Sequence, residues 1–266
     1  MMIWQVEREG RRSYLAGTAH FFPYQFRRSL RRYIGRVDTV LFEGPLDEAG
    51  ASTVTEYGSR GAGGVSLLDA LDAGTIGRIT GELGSPPQTL SSHTMVRSLF
   101  GVEPDVLDWD RIQGWKPWMA FFHIWSHYLR KNGWTCTMEL DAVRIAGTLG
   151  KRVHFLETIE EQLEALDNVP LERFVHFLQN VNWTRSRREH LDCYLRGDLE
   201  SLLDRIRGFP TLCDSIIGKR DPVLCARMQP FLARGRTIAF VGTAHCRGIK
   251  ALLLADGYTV EPALAV

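Results

Sequence analysis

The chain contains the tetrapeptide Gly-Thr-Ala-His twice, once near each end. The first copy closes the segment YLAGTAH at His20, and the second closes AFVGTAH at His245. Each copy follows a run of apolar residues of the kind that forms a buried β-strand. Ligands of open α/β sheets bind outside the carboxyl ends of the strands. The repeat therefore predicts a sheet built from both ends of the chain, with two imidazoles at one edge.

A third strand is predicted soon after the first histidine. The segment VDTVLFEG, residues 37–44, is rich in β-branched residues, carries Glu43 near its end, and is followed by a proline that cannot continue it. If the three strands are parallel neighbours, His20, Glu43 and His245 meet. Two imidazoles and a carboxylate with open positions can hold a catalytic divalent ion such as zinc, iron, manganese or cobalt. A strand that ends in Gly-x-x-His also fits a simple turn whose histidine bonds to a carbonyl group.

The alternation of periodicities predicts an α/β fold in one domain, residues 1–266. We expect a mixed central β-sheet formed by the N- and C-terminal segments. A large helical middle section, at about 66–231, would cover the carboxyl edge of that sheet. The Gly/Ser/Thr-rich residues 49–64 are predicted to be a mobile loop. Aromatic residues of the segment WKPWMAFF either line a groove or belong to the core: Trp115, Trp118, Phe121 and Phe122.

Composition excludes several classes of protein. A net charge of +1 provides no general attraction to nucleic acid or to an anionic membrane. No window approaches the roughly 18 uninterrupted apolar residues of a membrane span, and no signal peptide is recognisable, so a cytoplasmic location is expected. The five cysteines form no C-x-x-C pair and are interpreted as reduced thiols. The sequence leaves a homodimer open.

Longer segments carry a resemblance to a known family. They include VDTVLFEGPLDE, MELDAVRIAGTLGKRVHFLET, YLRGDLESLL and TIAFVGTAHCRGIKALLLADGYTVEPAL. With the paired Gly-x-x-His motifs, their order resembles the TraB/PrgY/GumN family, which includes the TIKI metalloproteases and is related to erythromycin-esterase-like and ChaN-like proteins. The resemblance implies that His20, Glu43 and His245 are metal-site residues. It also implies similarity to peptidases that depend on a divalent ion such as Mn, Co or Zn.

Such a site would support metal-assisted hydrolysis of a peptide or a small amide or ester. The ion would activate a water molecule, and a second carboxylate would carry the proton to the leaving group. Glu139, Asp141 and Glu157 are the candidates for that carboxylate. The first two are also explained by the preference for acids in the first turn of a helix. Arg220 would bind an oxyanion or a substrate carboxylate, although an arginine that opens a helix is also typical of a surface.

Two functions from different classes remain open at the level of the sequence. One is a metal-dependent hydrolase that uses His20, Glu43 and His245 to activate water. The other is a protein that holds a metal ion, haem or a signal peptide in the same crevice without turning it over.

Overall fold

The computed structural model describes residues 1–45, 48–59, 65–83, 109–184 and 187–263. Strands from both ends of the chain form one sheet, as the repeated tetrapeptide predicts. The strands are β1 (Ile3–Arg8), β2 (Arg11–Thr18), β3 (Thr39–Phe42), β4 (Arg152–Phe155), β5 (Thr237–Gly242) and β6 (Thr259–Pro262).

The order of the strands in the sheet is β4-β3-β5-β2-β1-β6. Strand β5 lies between β3 and β2 and is parallel to both. The three strands that precede His20, Glu43 and His245 are therefore parallel neighbours. The hairpin partner β1 is antiparallel to β2 and to β6, which makes the sheet mixed. One strand, β4, comes from the middle of the chain and adds in parallel to the free side of β3.

Helices make up most of the rest of the described chain. Up to the middle of the sequence they are α1 (Arg27–Gly35), α2 (Glu48–Ser59), α3 (Ala73–Leu83), α4 (Trp109–Gln113), α5 (Pro117–Lys131) and α6 (Met138–Thr148). Beyond β4 they are α7 (Ile159–Asp167), α8 (Leu171–Gln179), α9 (Arg187–Arg196), α10 (Leu199–Arg205), α11 (Arg220–Leu232) and α12 (Cys246–Ala255). None of the helices in the described ranges is both long and apolar enough to cross a bilayer.

In the part of the chain that the structure describes, the buried apolar residues fall into two clusters. The first surrounds the sheet and contains Leu15, Phe42 and Phe240. The second lies within the helical section and contains Trp118 and Phe174. The residues that follow β2, β3 and β5 stand where these two cores meet. The helical section thus covers the carboxyl edge of the sheet, and a site at that edge has walls from both cores.

The prediction of a loop over residues 49–64 is wrong for the part that the structure describes. Residues 48–59 form helix α2, while residues 60–64 lie outside the described ranges. Val54 is buried, and a Cβ atom added at Gly58 would lie 2.9 Å from the ring of Trp118. The small residues of this segment therefore serve close packing of α2 against α5. The same composition that is typical of loops also allows two helices to approach closely.

The aromatic residues of α5 and the segment before it divide between core and cavity. Trp115, Trp118 and Phe121 are core residues, and the Trp118 indole N–H donates to Asp167 Oδ1 at 2.7 Å. Phe122 lines a cavity, together with Trp125 one turn further along. A groove lined by all four predicted aromatic residues is therefore not formed, because a helix turns adjacent positions to different sides.

Candidate functional site

The carboxyl ends of β2, β3 and β5 open into a cavity of about 600 Å³. His20, Glu43 and His245 all line it, so the structure brings the three predicted metal-site residues to one place. Glu139 and Arg220 line the same cavity. Its other walls come from α5, α7, α8, α9 and α10 of the helical section.

The two Gly-Thr-Ala-His copies touch each other. The Thr243 hydroxyl donates to the Thr18 carbonyl at 2.7 Å, and the Thr18 hydroxyl donates to the Val241 carbonyl at 3.2 Å. A Cβ atom added at Gly17 would lie 3.0 Å from Cys246 Sγ and 3.2 Å from Thr243 Oγ1. Close approach of the two strand ends therefore favours glycine at position 17. The repeat in the sequence corresponds to a contact in space that fixes where both histidines leave the sheet.

His245 is buried and is held from both sides of its ring. Its Nδ1 lies 2.6 Å from Asp221 Oδ1, and its Nε2 lies 3.4 Å from Arg220 Nη1. An ionised carboxylate only accepts and a guanidinium only donates hydrogen bonds. Nδ1 therefore donates to Asp221, and Nε2 is directed towards Arg220 and towards Glu43, whose Oε1 is 3.9 Å away. A histidine oriented by a carboxylate in this way is typical of metal ligands and of catalytic bases.

Arg220 lies among the acidic groups of the site. Its guanidinium donates to both carboxylate oxygens of Glu157, with Nη2 at 2.6 Å from Oε2, and Nη2 is also 3.3 Å from Glu43 Oε2. Burial lowers the pKa of Arg220, but the carboxylates of Glu157 and Glu43 outweigh it and raise the pKa above its usual value. Arg220 is therefore a permanent, largely buried positive charge in the wall of the cavity.

Glu43 is oriented by backbone as well as by charge. The Gly242 N–H, at the end of β5, donates to Glu43 Oε1. Burial raises the pKa of the Glu43 carboxyl, but the charges of His245 and Arg220 and the Gly242 N–H lower it below its usual value. Glu43 is therefore an ionised carboxylate at neutral pH.

Glu139 and His20 form a second pair at the site. His20 Nδ1 lies 3.3 Å from Glu139 Oε1, while the His20 side chain is 42% exposed. Glu139 is buried, and within the described residues neither of its carboxylate oxygens has a hydrogen-bond partner. A buried carboxylate without hydrogen bonds is costly unless a proton or a cation reaches it. Glu139 and His20 are thus paired by proximity rather than by a well-formed hydrogen bond.

The three candidates for the second carboxylate occupy different positions. Only Glu139 of the three lines the cavity. Asp141 accepts from Arg27 Nε at 3.1 Å and is directed to α1, and Glu157 stands behind Arg220. Asp141 therefore forms a structural ion pair with Arg27, and Glu157 holds Arg220 in position.

The described side chains of the site are of the types that bind divalent ions, but they do not converge on one point. Glu43 and His245 Nε2 are neighbours, Asp221 holds the far side of the imidazole as in many metal sites, and Glu139 is a buried carboxylate without hydrogen bonds. Among the residues that the structure describes, no group of three or more His, Cys, Asp or Glu side chains converges closely enough to hold an ion. The donors form two pairs instead, and Arg220 provides positive charge beside one of them.

Sequence reasoning missed Asp221 as a site residue. It is buried at the start of α11, next to Arg220, and it contacts His245 from the side away from the cavity. A Cβ atom at Gly248, on α12, would lie 1.8 Å from Asp221 Oδ2. A glycine three residues after the second histidine, together with the Arg-Asp pair that begins a helix, was the only signal for this contact.

Residues 2–262, nearly the whole chain, match the family model described as the TraB/PrgY/gumN family. No curated protein and no solved structure matches the chain significantly.

Proposed function

The chain belongs to the TraB/PrgY/gumN family, and from this premise we propose that it is a hydrolase that cleaves an amide or ester bond in the cavity. Its substrates are peptides, as the family resemblance implies. His245 carries the proposal: a buried imidazole with Nδ1 on Asp221 presents Nε2 beside Glu43 and Arg220. Such orientation of a ring by a buried acid, next to a fixed cation, supports chemistry at a polarised carbonyl group.

Three side chains divide the work of the proposed reaction. Glu139 takes a proton from the attacking water and returns it to the leaving nitrogen or oxygen as the bond to the carbonyl carbon breaks. Arg220 stabilises the negative charge that develops on the carbonyl oxygen. Glu157 keeps the Arg220 guanidinium in place through three hydrogen bonds to its two carboxylate oxygens, so the cation does not reorganise during the reaction.

A divalent ion, Mn, Co or Zn, is part of the proposal, with His20, Glu43 and His245 as the residues that would hold it. When bound, such an ion lowers the pKa of a water molecule and polarises a carbonyl group. The chain prepares these donors: Asp221 orients His245, and the Gly242 N–H orients Glu43. Two carboxylates, those of Glu43 and Glu157, contact the guanidinium of Arg220, and a third, that of Asp221, contacts His245, so this part of the site attracts a further cation.

The test is cleavage of a peptide library, followed by mass spectrometry, after the protein is stripped with a chelator and resupplied with Mn, Co or Zn. We expect metal-restored cleavage in the parent protein, and a loss of about 100-fold or more in His245→Ala, His20→Ala and Glu139→Gln. His154→Ala is the matched control, since His154 lies on the edge strand β4 against Phe231 and does not line the cavity.

Two results would count against the hydrolase. Cleavage that survives in His245→Ala and Glu139→Gln would come from another site or a contaminant. Uptake of metal, haem or a peptide without turnover under any metal condition would instead favour the binding function.

A further inference from the structure

The cavity extends well beyond the polar residues at the sheet. Four rings form what we term the aromatic wall: Trp125, Phe177, Trp183 and Phe209. Trp125 lies with its centroid 5.5 Å from Phe177 and 5.5 Å from Phe209, and Phe177 lies 5.3 Å from Phe209. These rings hold one another in place, so the wall is formed before any ligand arrives. Burial of an apolar ligand surface against the aromatic wall would contribute favourable free energy to binding.

Three further lining residues are basic, and we term them the arginine rim: Arg187, Arg205 and Arg207. Within the described residues the only acids that line the cavity are Glu43 and Glu139, which stand at the sheet end. The cavity is therefore acidic where the proposed chemistry occurs and basic at the rim.

The members of the rim differ in how far their charge is neutralised. Arg205 pairs with Glu189, and Arg207 lies 3.8 Å from Asp204, although neither acid lines the cavity. The Arg187 guanidinium lies over the Tyr128 ring at 4.7 Å, and no carboxylate of the described residues pairs with it. Arg187 is thus the member best able to bind an anionic group of a ligand.

Helix α9 connects the two ends of the cavity. Its first residue is Arg187, and near its last turn the Tyr194 hydroxyl donates to the Gly17 carbonyl at 2.7 Å, three residues before His20. From Arg187 to Tyr194 the helix advances about 10 Å at 1.5 Å per residue. An extended peptide covers about the same length with three residues.

From this arrangement we infer the substrate class: a peptide with aromatic or aliphatic side chains and a free C-terminal carboxylate about three residues beyond the scissile bond. The inference rests on the proposed hydrolase for the position of that bond. The polar end receives the scissile amide, the aromatic wall covers the apolar side chains, and Arg187 binds the terminal carboxylate. Water adds to the carbonyl carbon and the C–N bond breaks. The products are an N-terminal fragment with a new carboxylate and a hydrophobic tripeptide with a free amine.

Binding, measured separately from cleavage, tests this inference. The probes are acetyl-Ala-Phe-Leu-Phe as the free acid and as the C-terminal amide, with acetyl-Ala-Ser-Gln-Ser acid as the polar counterpart. Affinities come from calorimetry and from quenching of tryptophan fluorescence. We expect the hydrophobic acid to bind about tenfold or more tightly than either alternative. Arg187→Gln should remove the preference for acid over amide. Arg188→Gln should keep it, because Arg188 is an exposed neighbour that does not line the cavity.

The outcomes separate the two proposals. Equal binding of acid and amide by the parent protein, or equal binding of the hydrophobic and polar acids, would overturn the substrate class even if peptides are cleaved. A preference for the hydrophobic acid that depends on Arg187, without cleavage of any peptide, would support the recognition and overturn the hydrolase. Trp125→Ala supplies a further check. It should weaken the binding of the hydrophobic acid and of its amide by similar factors, since the aromatic wall does not contact the terminal group.

Discussion

At the scale of single residues, the site is organised by where its charges stand. The guanidinium of Arg220 and the imidazole of His245 are contacted by three carboxylates, those of Glu43, Glu157 and Asp221. All of these groups are buried or nearly so. In such surroundings each acid depends on its partner, because an unpaired buried charge is strongly destabilising. Arg220 and His245 thus hold the fold at this edge together, in addition to any role in catalysis.

The lowered pKa of Glu43 leads to a prediction about stability in acid. Because the folded-state pKa lies below the ordinary value of 4.5, the stabilisation from Glu43 is complete above about pH 4.5 and is lost as the pH falls through the folded-state value. We expect the free energy of unfolding of the parent protein to fall more steeply below pH 4.5 than that of Glu43→Gln. Urea denaturation at a series of pH values measures this.

Glu261→Gln serves as the control for that experiment. Glu261 lies on the edge strand β6 and is exposed, so its substitution should leave the steep fall unchanged. Parallel curves for the parent protein and Glu43→Gln would contradict the electrostatic account of the site.

At the scale of elements, the contact between α11 and α12 sets the geometry of His245. Asp221 opens α11 and reaches across to the histidine that precedes α12, in the space left by the absent side chain of Gly248. The two helices therefore approach closely at one point, and that point fixes the imidazole.

Gly248→Ala is predicted to disturb the site without touching the cavity. The new Cβ would overlap Asp221 Oδ2, so the carboxylate must leave its position on His245. Loss of such a supporting contact typically lowers activity by about 10- to 100-fold. Kinetic measurement of kcat, with Tm from thermal unfolding, checks this. Gly147→Ala is the matched control, since nothing lies within 4 Å of that position on α6.

A double variant shows whether the effect passes through Asp221. If it does, Gly248→Ala should add nothing further to Asp221→Ala, because both remove the same contact. If the losses of activity in the two single variants are additive in the double variant, Gly248→Ala acts through a contact other than the one between Asp221 and His245.

At the scale of the whole molecule, the sheet requires both ends of the chain. Strand β5, from the last part of the sequence, fills the gap between β3 and β2, and β6 pairs with β1 so that Trp4 stands opposite Pro262. The cavity in turn requires both cores, since its lining comes from each of them. That the chain is one domain over residues 1–266 stays a prediction, and folding experiments test it directly.

A chain that ends before Thr237 is expected to remain unfolded. It would lack the central strand, and β2 and β3 would have no partner between them. A circular permutant keeps every residue and is the control. It joins the ends by a short Gly/Ser linker and opens the chain at the exposed turn of Asn132 and Gly133. Circular dichroism and thermal unfolding should show a cooperative transition in the permutant alone; a cooperative transition in the truncated chain would contradict the prediction.

The sequence by itself determined the strands, the edge of the sheet and the three residues that follow them. Apolar runs, strand endings and the repeated Gly-Thr-Ala-His are local patterns, and parallel strands that end in polar residues place those residues together whatever surrounds them. The meeting of His20, Glu43 and His245 at this edge was therefore predictable, as was the covering of that edge by helices. Their role as metal-site residues stays a prediction.

Only the tertiary structure decided which of the remaining polar and aromatic side chains reach the cavity. Glu139 and Asp141 share one helical turn, but side chains two positions apart on a helix point about 200° away from each other. Only one of the two can therefore face the cavity. Likewise Trp125 and not Trp118 lines the cavity, and Asp221 reaches His245 only because Gly248 leaves room. Which face of a helix is covered, and by what, depends on packing between segments far apart in the chain, and no local pattern contains that information.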